Sequence, residues 1–149
     1  MSNEIEKLLP HRKPFLFVDE IISFDEEKIV ARHVFTENEF FFAGHFPQYP
    51  VVPGVILIET MAQCGGAGLR KLSAAKNLGI PADALFFLAS VDKAKFRHQV
   101  KPGDEVRLEI INLRISSRMI KQAGQAFVGD ELAAEAEWLC LVENKGEVN

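Results

Sequence analysis

The longest apolar run in the chain contains one charged residue. Between Val51 and Leu69, Glu59 is the only charged side chain. A helix that is apolar on all sides is normally surrounded by protein. A carboxylate in such surroundings is costly unless it is paired or used. This run therefore predicts a central buried helix, with Glu59 as a residue that has a function.

Length and composition predict one globular domain spanning residues 1–149. Apolar residues make up 48% of the chain and charged residues 26%, which is typical of a folded protein with a sizeable core. The net charge of −4 argues against nucleic acid as the main partner. The first residues do not have the pattern of a signal peptide, so we expect a cytoplasmic protein.

The apolar run is long enough to raise the question of a membrane span. Pro53 near its start, Glu59, Gln63 and several glycines favour a buried helix instead, so no membrane span is predicted. The two cysteines, Cys64 and Cys140, are far apart and are interpreted as small buried side chains in a reducing compartment.

The remaining sequence alternates in the manner of strands. The pattern of the long strand slips at Ile110–Ile111, which predicts a bulge or a change of covered face. A frayed tail is expected from Asn144. The predicted elements are a short helix at Ser2–Leu9, a hairpin of strands Phe15–Phe24 and Lys28–Thr36, a helix from Gly54 to about Leu72, and strands at Ala84–Phe96, Glu105–Ser116, Met119–Val128 and Leu132–Val142.

This order of elements predicts an α+β fold with a curved antiparallel sheet wrapped around one long central helix. The sheet covers one side of the helix. The remaining apolar surface of the helix needs further cover, most simply from a second subunit.

Two titratable residues near the start of the helix can act as an acid–base pair. An imidazole such as that of His45 can accept a proton near neutral pH. A carboxyl among apolar groups, such as that of Glu59, can stay protonated and donate one. Gln63 follows Glu59 by four residues, so it can hold the carboxyl by a hydrogen bond. Taken singly, the histidine and the glutamate are also typical of structural residues.

The Pro53-Gly54 pair adds a third component. If Pro53 opens the helix, the N–H groups of Gly54 and Val55 are free donors at its first turn, and such donors stabilise a developing oxyanion. A base, an acid and oxyanion donors are the parts needed for proton abstraction beside a carbonyl with loss or gain of water. No metal site is predicted, because the other histidines show no ligand spacing with His45 and Glu59.

Three segments resemble one known family. They are LPHRKPFLFVDEI (Leu9–Ile21), GHFPQYPVVPGVILIETMAQ (Gly44–Gln63) and ASVDKAKFRHQVKPGDEV (Ala89–Val106). Together they are similar to the FabZ-type 3-hydroxyacyl-[acyl-carrier-protein] dehydratases. The resemblance implies a hot dog fold, a homodimer whose sheets join edge to edge, and commonly a trimer of dimers. It implies formation of trans-2-enoyl-[acyl-carrier-protein] in fatty acid or related biosynthesis, with no cofactor.

The resemblance also implies roles for individual residues. The catalytic residues matching His45 and Glu59 come from opposite subunits. The amides of Gly54 and Val55 polarise the thioester carbonyl, and the carbonyl of Val51 orients the histidine. A glutamate at position 59, rather than an aspartate, implies dehydration without isomerisation.

Two features depart from the family pattern. Gln48-Tyr49 stand where glycine and a basic residue are usual. The chain is also acidic, as acyl carrier protein is, so docking of the carrier must use local patches of basic residues. The alternative interpretation of these basic residues is a solvated surface without a docking role. The carrier is either the housekeeping protein or one from a secondary pathway such as polyene synthesis. The docking candidates are Arg70, Lys71, Lys93, Lys95, Arg97, His98 and Lys101.

Two other functions fit part of the sequence. A hot dog thioesterase would use Glu59 to activate water against the thioester. The second is a non-catalytic interaction subunit. The presence of both His45 and Glu59 argues against it, because such a subunit does not need an acid–base pair. We expect an acyl tunnel lined by the apolar helix and by Phe and Leu residues of the Ala84–Val91 strand.

Overall fold

The computed structural model describes residues 2–144, so the predicted tail lies outside the described residues beyond Asn144. Its elements are α1 (Ser2–Leu8), β1 (Glu20–Phe24), β2 (Lys28–Val34), a 3₁₀ helix (Phe40–Ala43), α2 (Gly54–Lys76), β3 (Leu85–Phe96), β4 (Glu105–Ile115), β5 (Met119–Val128) and β6 (Glu131–Glu143).

The six strands form one antiparallel sheet in the order β1-β2-β4-β5-β6-β3. Helix α2 contacts all six. Five strand spacings span about 24 Å, whereas a helix is about 10 Å across. The sheet must therefore curve around α2 for every strand to contact it. This is the hot dog fold, and the predicted fold class is confirmed.

The core lies between α2 and the concave face of the sheet. Met61, Cys64 and Leu69 of α2 are fully buried there. Glycine is needed at a close approach of the helix to the sheet: a Cβ on Gly68 would lie 2.5 Å from Ile29 Cγ2. The alternate residues Ala134, Ala136, Trp138 and Cys140 of β6 are buried and form its inward face.

Two predicted boundaries and the position of one predicted irregularity are wrong. The first strand begins at Glu20 rather than Phe15. The irregularity in β4 lies between Asn112 and Arg114, because the alternation of buried and exposed residues continues through Ile110 and Ile111. Helix α2 continues past Leu72 to Lys76, where Asn77 adopts a left-handed conformation (φ 54°) and donates its N–H to Ser73 O.

Strand β3 forms one edge of the sheet, and its apolar side chains are exposed. Phe87, Leu88, Val91 and Phe96 have exposed fractions of 44%, 42%, 38% and 53%. Within one chain Phe87 and Leu88 therefore line no enclosed tunnel. The reason is that β3 has a neighbour on one side only, and α2 covers its faces sparsely.

Neither helix of the described chain combines the length and hydropathy needed to cross a membrane. Among residues 2–144 no group of three or more His, Cys, Asp or Glu side chains is arranged to hold a metal ion. Cys64 and Cys140 are free and buried, and burial raises the pKa of the Cys140 thiol to about 12.

Candidate active site

His45 is held in a tightly bonded loop after the 3₁₀ helix. Its N–H donates to Phe41 O (3.0 Å), and its carbonyl accepts from the N–H of Val51 (2.9 Å). Phe46 and Tyr49 exchange backbone hydrogen bonds of 3.2 and 3.0 Å, which close the turn between these two anchors. The backbone on both sides of His45 is thus fixed.

The ring of His45 is oriented by a backbone carbonyl. Its Nδ1 lies 3.0 Å from Val51 O. A carbonyl oxygen can only accept, so Nδ1 carries the hydrogen and Nε2 of the neutral ring keeps its lone pair. The ring also stacks on Phe46, with a centroid separation of 4.3 Å. This arrangement presents Nε2 as the atom able to take a proton.

The start of α2 supplies free donors. Ile56 and Leu57 both donate their N–H groups to Pro53 O. In the described chain, the N–H groups of Gly54 and Val55 have no hydrogen-bond partner, as expected at a helix start. Both residues line an open groove of about 530 Å³ between the start of α2 and the end of β3.

Phe96 forms part of that groove and limits what can stand at position 54. A Cβ on Gly54 would lie 2.8 Å from Phe96 Cε1. Glycine therefore lets this aromatic ring, or a substrate in its place, approach the backbone donors.

Glu59 lies less than two turns further along α2. Its Oε2 accepts a hydrogen bond of 2.9 Å from Gln63 Nε2, the contact expected from their spacing. His11 Nε2 lies 3.5 Å from the same oxygen. The Glu59 side chain is 23% exposed, so apolar side chains of the same chain do not enclose it.

Gln63 connects Glu59 to the loop that precedes β1. It accepts from the N–H of Phe17 (2.8 Å) and donates to the carbonyl of Phe15 (3.1 Å). Gln63 is buried, and these bonds fix its amide. One side chain thus orients Glu59 and also holds residues 15–17 out of the sheet, which explains the late start of β1.

His45 and Glu59 are not paired within the chain. No hydrogen bond or ion pair joins them anywhere in residues 2–144, and neither lines the groove that Gly54 and Val55 share. Val51, Gly54 and Val55 are gathered at that groove, whereas Gln63 lies beside Glu59.

The predicted docking residues fall in two groups. Arg70 and Lys71 lie near the end of α2, and Arg70 Nη1 donates to the carbonyls of Pro81 (3.5 Å) and Ala82 (2.5 Å). Lys71 pairs with Glu4 at 3.4 Å. The other group lies on β3 and in the loop after it. Three of its members form ion pairs: Lys93 with Glu137, Arg97 with Glu135 and His98 with Glu131. Lys95 is exposed, and the Lys101 ammonium lies over the ring of Tyr49.

Two residues beside the site were missed by the sequence analysis. His11 was considered only as a metal ligand, yet it faces Glu59 across 48 residues of sequence. Phe96 was treated as a strand residue, yet its ring covers Gly54. Their placement depends on how the sheet wraps the helix. The only local signal for His11 was its place in the Pro10-His11-Arg12 segment that follows α1.

Comparisons with known proteins bear on this geometry. A family model described as a FabA-like domain matches residues 9–137. The 3-hydroxyacyl-[acyl-carrier-protein] dehydratase FabZ of Desulforamulus reducens is 45% identical over 146 residues, which are 96% of this chain and 97% of that protein. This chain belongs to the FabZ family. The resemblance stated from the three motifs is thereby confirmed.

Other members of the FabZ family agree. The protein of the same name from Koribacter versatilis is 46% identical over 140 residues, covering 93% of this chain and 86% of that protein. A solved structure, the dehydratase heterocomplex ApeI:P from Xenorhabdus doucetiae, matches with a TM-score of 0.81. It is 16% identical and covers 96% of this chain and 93% of that chain, which shows the shared fold alone.

Proposed function

We propose that this chain dehydrates a 3-hydroxyacyl thioester carried by acyl carrier protein to the trans-2-enoyl thioester. The observation that carries the proposal is the orientation of His45, whose Nδ1 bonds Val51 O and leaves Nε2 able to accept a proton. The family relatives are named as dehydratases of this substrate class, and they do not favour the thioesterase alternative.

In the proposed reaction His45 Nε2 removes a proton from C2 of the substrate. The negative charge that develops on the thioester oxygen is stabilised by the N–H groups of Gly54 and Val55 at the start of α2. Such preorganised donors typically contribute about 3 kcal/mol each to transition-state stabilisation. The helix dipole acts in the same direction.

Glu59 is the proposed acid. It donates its proton to the hydroxyl on C3 as the C3–O bond breaks, so water leaves and the C2–C3 double bond forms. Gln63 supports this role, because it bonds Glu59 Oε2 and leaves the other carboxyl oxygen available. The proton gained by His45 returns to Glu59 or to solvent before the next cycle.

We further propose that the site is completed by a second copy of the chain. His45 and Glu59 make no contact with each other in one chain, and the exposed apolar edge strand β3 is suited to pairing with its equivalent in a partner. Such pairing joins two sheets edge to edge in a homodimer. A trimer of dimers would extend the assembly.

The carrier protein is proposed to dock beside the groove at the start of α2. Arg97 and His98 line this groove, and Lys95 and Lys101 lie near it in sequence. Lys93, Arg70 and Lys71 are weaker candidates, because none of them lines the groove. We place the protein, as one domain, in the cytoplasm, where acyl carrier protein would meet it.

The test is a turnover assay with carrier-linked 3-hydroxyacyl substrates, followed by the ultraviolet absorbance of the enoyl thioester and by release of free thiol. We expect enoyl product from the wild type and a loss of about 10²-fold or more in His45→Ala and Glu59→Gln. Glu20→Gln is the matched carboxyl control, since Glu20 is exposed and pairs with Arg32.

Near-normal rates in both folded variants would overturn the assignment. Thiol release without enoyl product would identify a thioesterase instead.

A further inference from the structure

A buried histidine away from the groove at the start of α2 lies between two carboxylates. His33 on β2 has 7% of its side chain exposed. Its Nδ1 lies 3.0 Å from Asp19 Oδ1, and its Nε2 lies 3.1 Å from Glu39 Oε1. An ionised carboxylate can only accept, so both ring nitrogens donate and the ring is an imidazolium.

The surrounding charges favour this state. Burial by itself disfavours the charged ring, but the hydrogen bonds to Asp19 and Glu39 prevail and raise the pKa of His33. Burial likewise opposes ionisation of Asp19, yet bonds from His33 and from the N–H of Val34 lower its pKa. Among the basic groups, Arg32 and Lys13 line the same cleft, and Arg32 is directed to Glu20 and Glu105.

One carboxylate belongs to the segment that carries His45. Glu39 directly precedes the 3₁₀ helix, and its carbonyl accepts from the N–H of Phe42 (3.2 Å). The carbonyl of Phe41 then accepts from the N–H of His45 (3.0 Å). Backbone hydrogen bonds of one helical turn thus connect Glu39 to the proposed base.

The other carboxylate, that of Asp19, belongs to the loop that is hydrogen-bonded through Gln63 to Glu59. Asp19 ends the loop in which Phe17 donates to Gln63, and Gln63 in turn holds Glu59. The rings of Phe17 and Phe35 pack edge-on against His33, with centroid distances of 5.9 and 4.6 Å. The imidazolium thus lies at the junction between the two segments.

We propose that His33 is a positioning residue that clamps the segment carrying His45 to the loop that anchors Glu59, through one charge shared by Glu39 and Asp19. If each subunit gives His45 to one site and Glu59 to another, this clamp links the two half-sites of a single chain. The effect of this clamp on catalysis rests on the proposed function. The existence of the clamp does not depend on that function.

The kinetic test compares His33→Gln with His33→Lys. Glutamine removes the charge, and lysine keeps a cation with several donors. We expect His33→Gln to lose about 10- to 100-fold in kcat with KM within about twofold, and His33→Lys to recover most of that loss. The advantage of the wild type over His33→Gln should shrink as rising pH deprotonates His33.

A folded His33→Gln protein with the kcat and pH profile of the wild type would overturn the proposal. A loss in His33→Gln that His33→Lys does not recover would also count against it. If His33→Gln does not fold, Glu39→Gln serves instead, because it weakens the clamp while keeping size and the bond to Asp19. The matched control is Glu20→Gln, because Glu20 does not line the cleft and has no contact with His33.

Nitrogen-15 NMR of the four histidines separates this proposal from the proposed function. We expect both ring nitrogens of His33 to remain protonated at pH 7.5, and the His45 signal to shift in Glu39→Gln but not in Glu20→Gln. A neutral His33, or an unmoved His45 signal, would refute the clamp whether or not the wild type is a dehydratase. Absence of dehydration with both signals as expected would refute the proposed function alone.

Discussion

At the scale of the residue, the buried charges make stability depend on pH in two directions. The folded-state pKa of His33 is raised above 6.5, so its contribution is fully present below pH 6.5 and is lost as pH rises through the raised value. The pKa of Asp19 is lowered from 3.8, so its contribution is present above pH 3.8 and is lost as pH falls through the lowered value.

We therefore predict that the stabilising contributions of His33 and Asp19 are both fully present between about pH 4 and pH 6.5. The difference in free energy of unfolding between wild type and His33→Gln should be largest in this window and decline toward alkaline pH. Denaturant unfolding at a series of pH values measures it. A difference that stayed constant from pH 6 to pH 10 would contradict the account.

The site was predictable at the residue scale wherever the chemistry is local. The hydrogen bond between Gln63 and Glu59 follows from helix geometry, and the free donors of Gly54 and Val55 follow from a helix start. His11 and Glu59 meet only because the loop after α1 folds back over α2. Such contacts have no signature in spacing, and they require the fold to be known.

At the scale of the element, α2 is shaped by how closely the sheet approaches it. A Cβ on Gly68 would lie 2.5 Å from Ile29 Cγ2, and Ile29 is fully buried near the start of β2. Gly66, half a turn away, faces half-buried Phe86 instead, with Cδ2 at 3.1 Å from the added Cβ. The same substitution should therefore have different results at these two positions.

We predict that Gly68→Ala lowers the free energy of unfolding by about 2 kcal/mol, because Ile29 has no space into which to move. Gly66→Ala is the matched control and should stay within about 1 kcal/mol of wild type, since alanine favours the helix and Phe86 can shift slightly. Denaturant midpoints with unchanged slopes measure both. Equal losses in the two variants would contradict this packing.

The elements themselves were largely predictable, and their ends were not. Alternation placed β2, β5 and β6 correctly to within about two residues, as is usual for strongly periodic segments. Residues 15–19 have strand-like composition, but Gln63 bonds the backbone at Phe15 and Phe17 and keeps it from the sheet. A side chain 46 residues away decided the boundary.

At the scale of the whole molecule, β3 leaves an apolar edge that a folded chain normally covers. Val91 is exposed at this edge, whereas Ile111, also exposed, lies on β4 where Lys28 of β2 and Ala123 of β5 pair with it on either side. A lysine at an edge strand opposes pairing with another sheet.

We predict that Val91→Lys converts the proposed dimer to a species of 16.7 kDa and abolishes turnover, while Ile111→Lys changes neither mass nor turnover. Light scattering after size exclusion measures the mass. A dimeric Val91→Lys protein would show that the edge of β3 is not the interface.

The shared site is the central claim, and mixing two inactive variants tests it most directly. His45→Ala and Glu59→Gln chains are unfolded together and refolded as a 1:1 mixture. If each site takes one residue from each chain, half of the dimers are mixed and each mixed dimer has one intact site, so activity should return to about a quarter of wild type. If both residues act within one chain, the mixture should stay as inactive as its components, and that result would contradict the account.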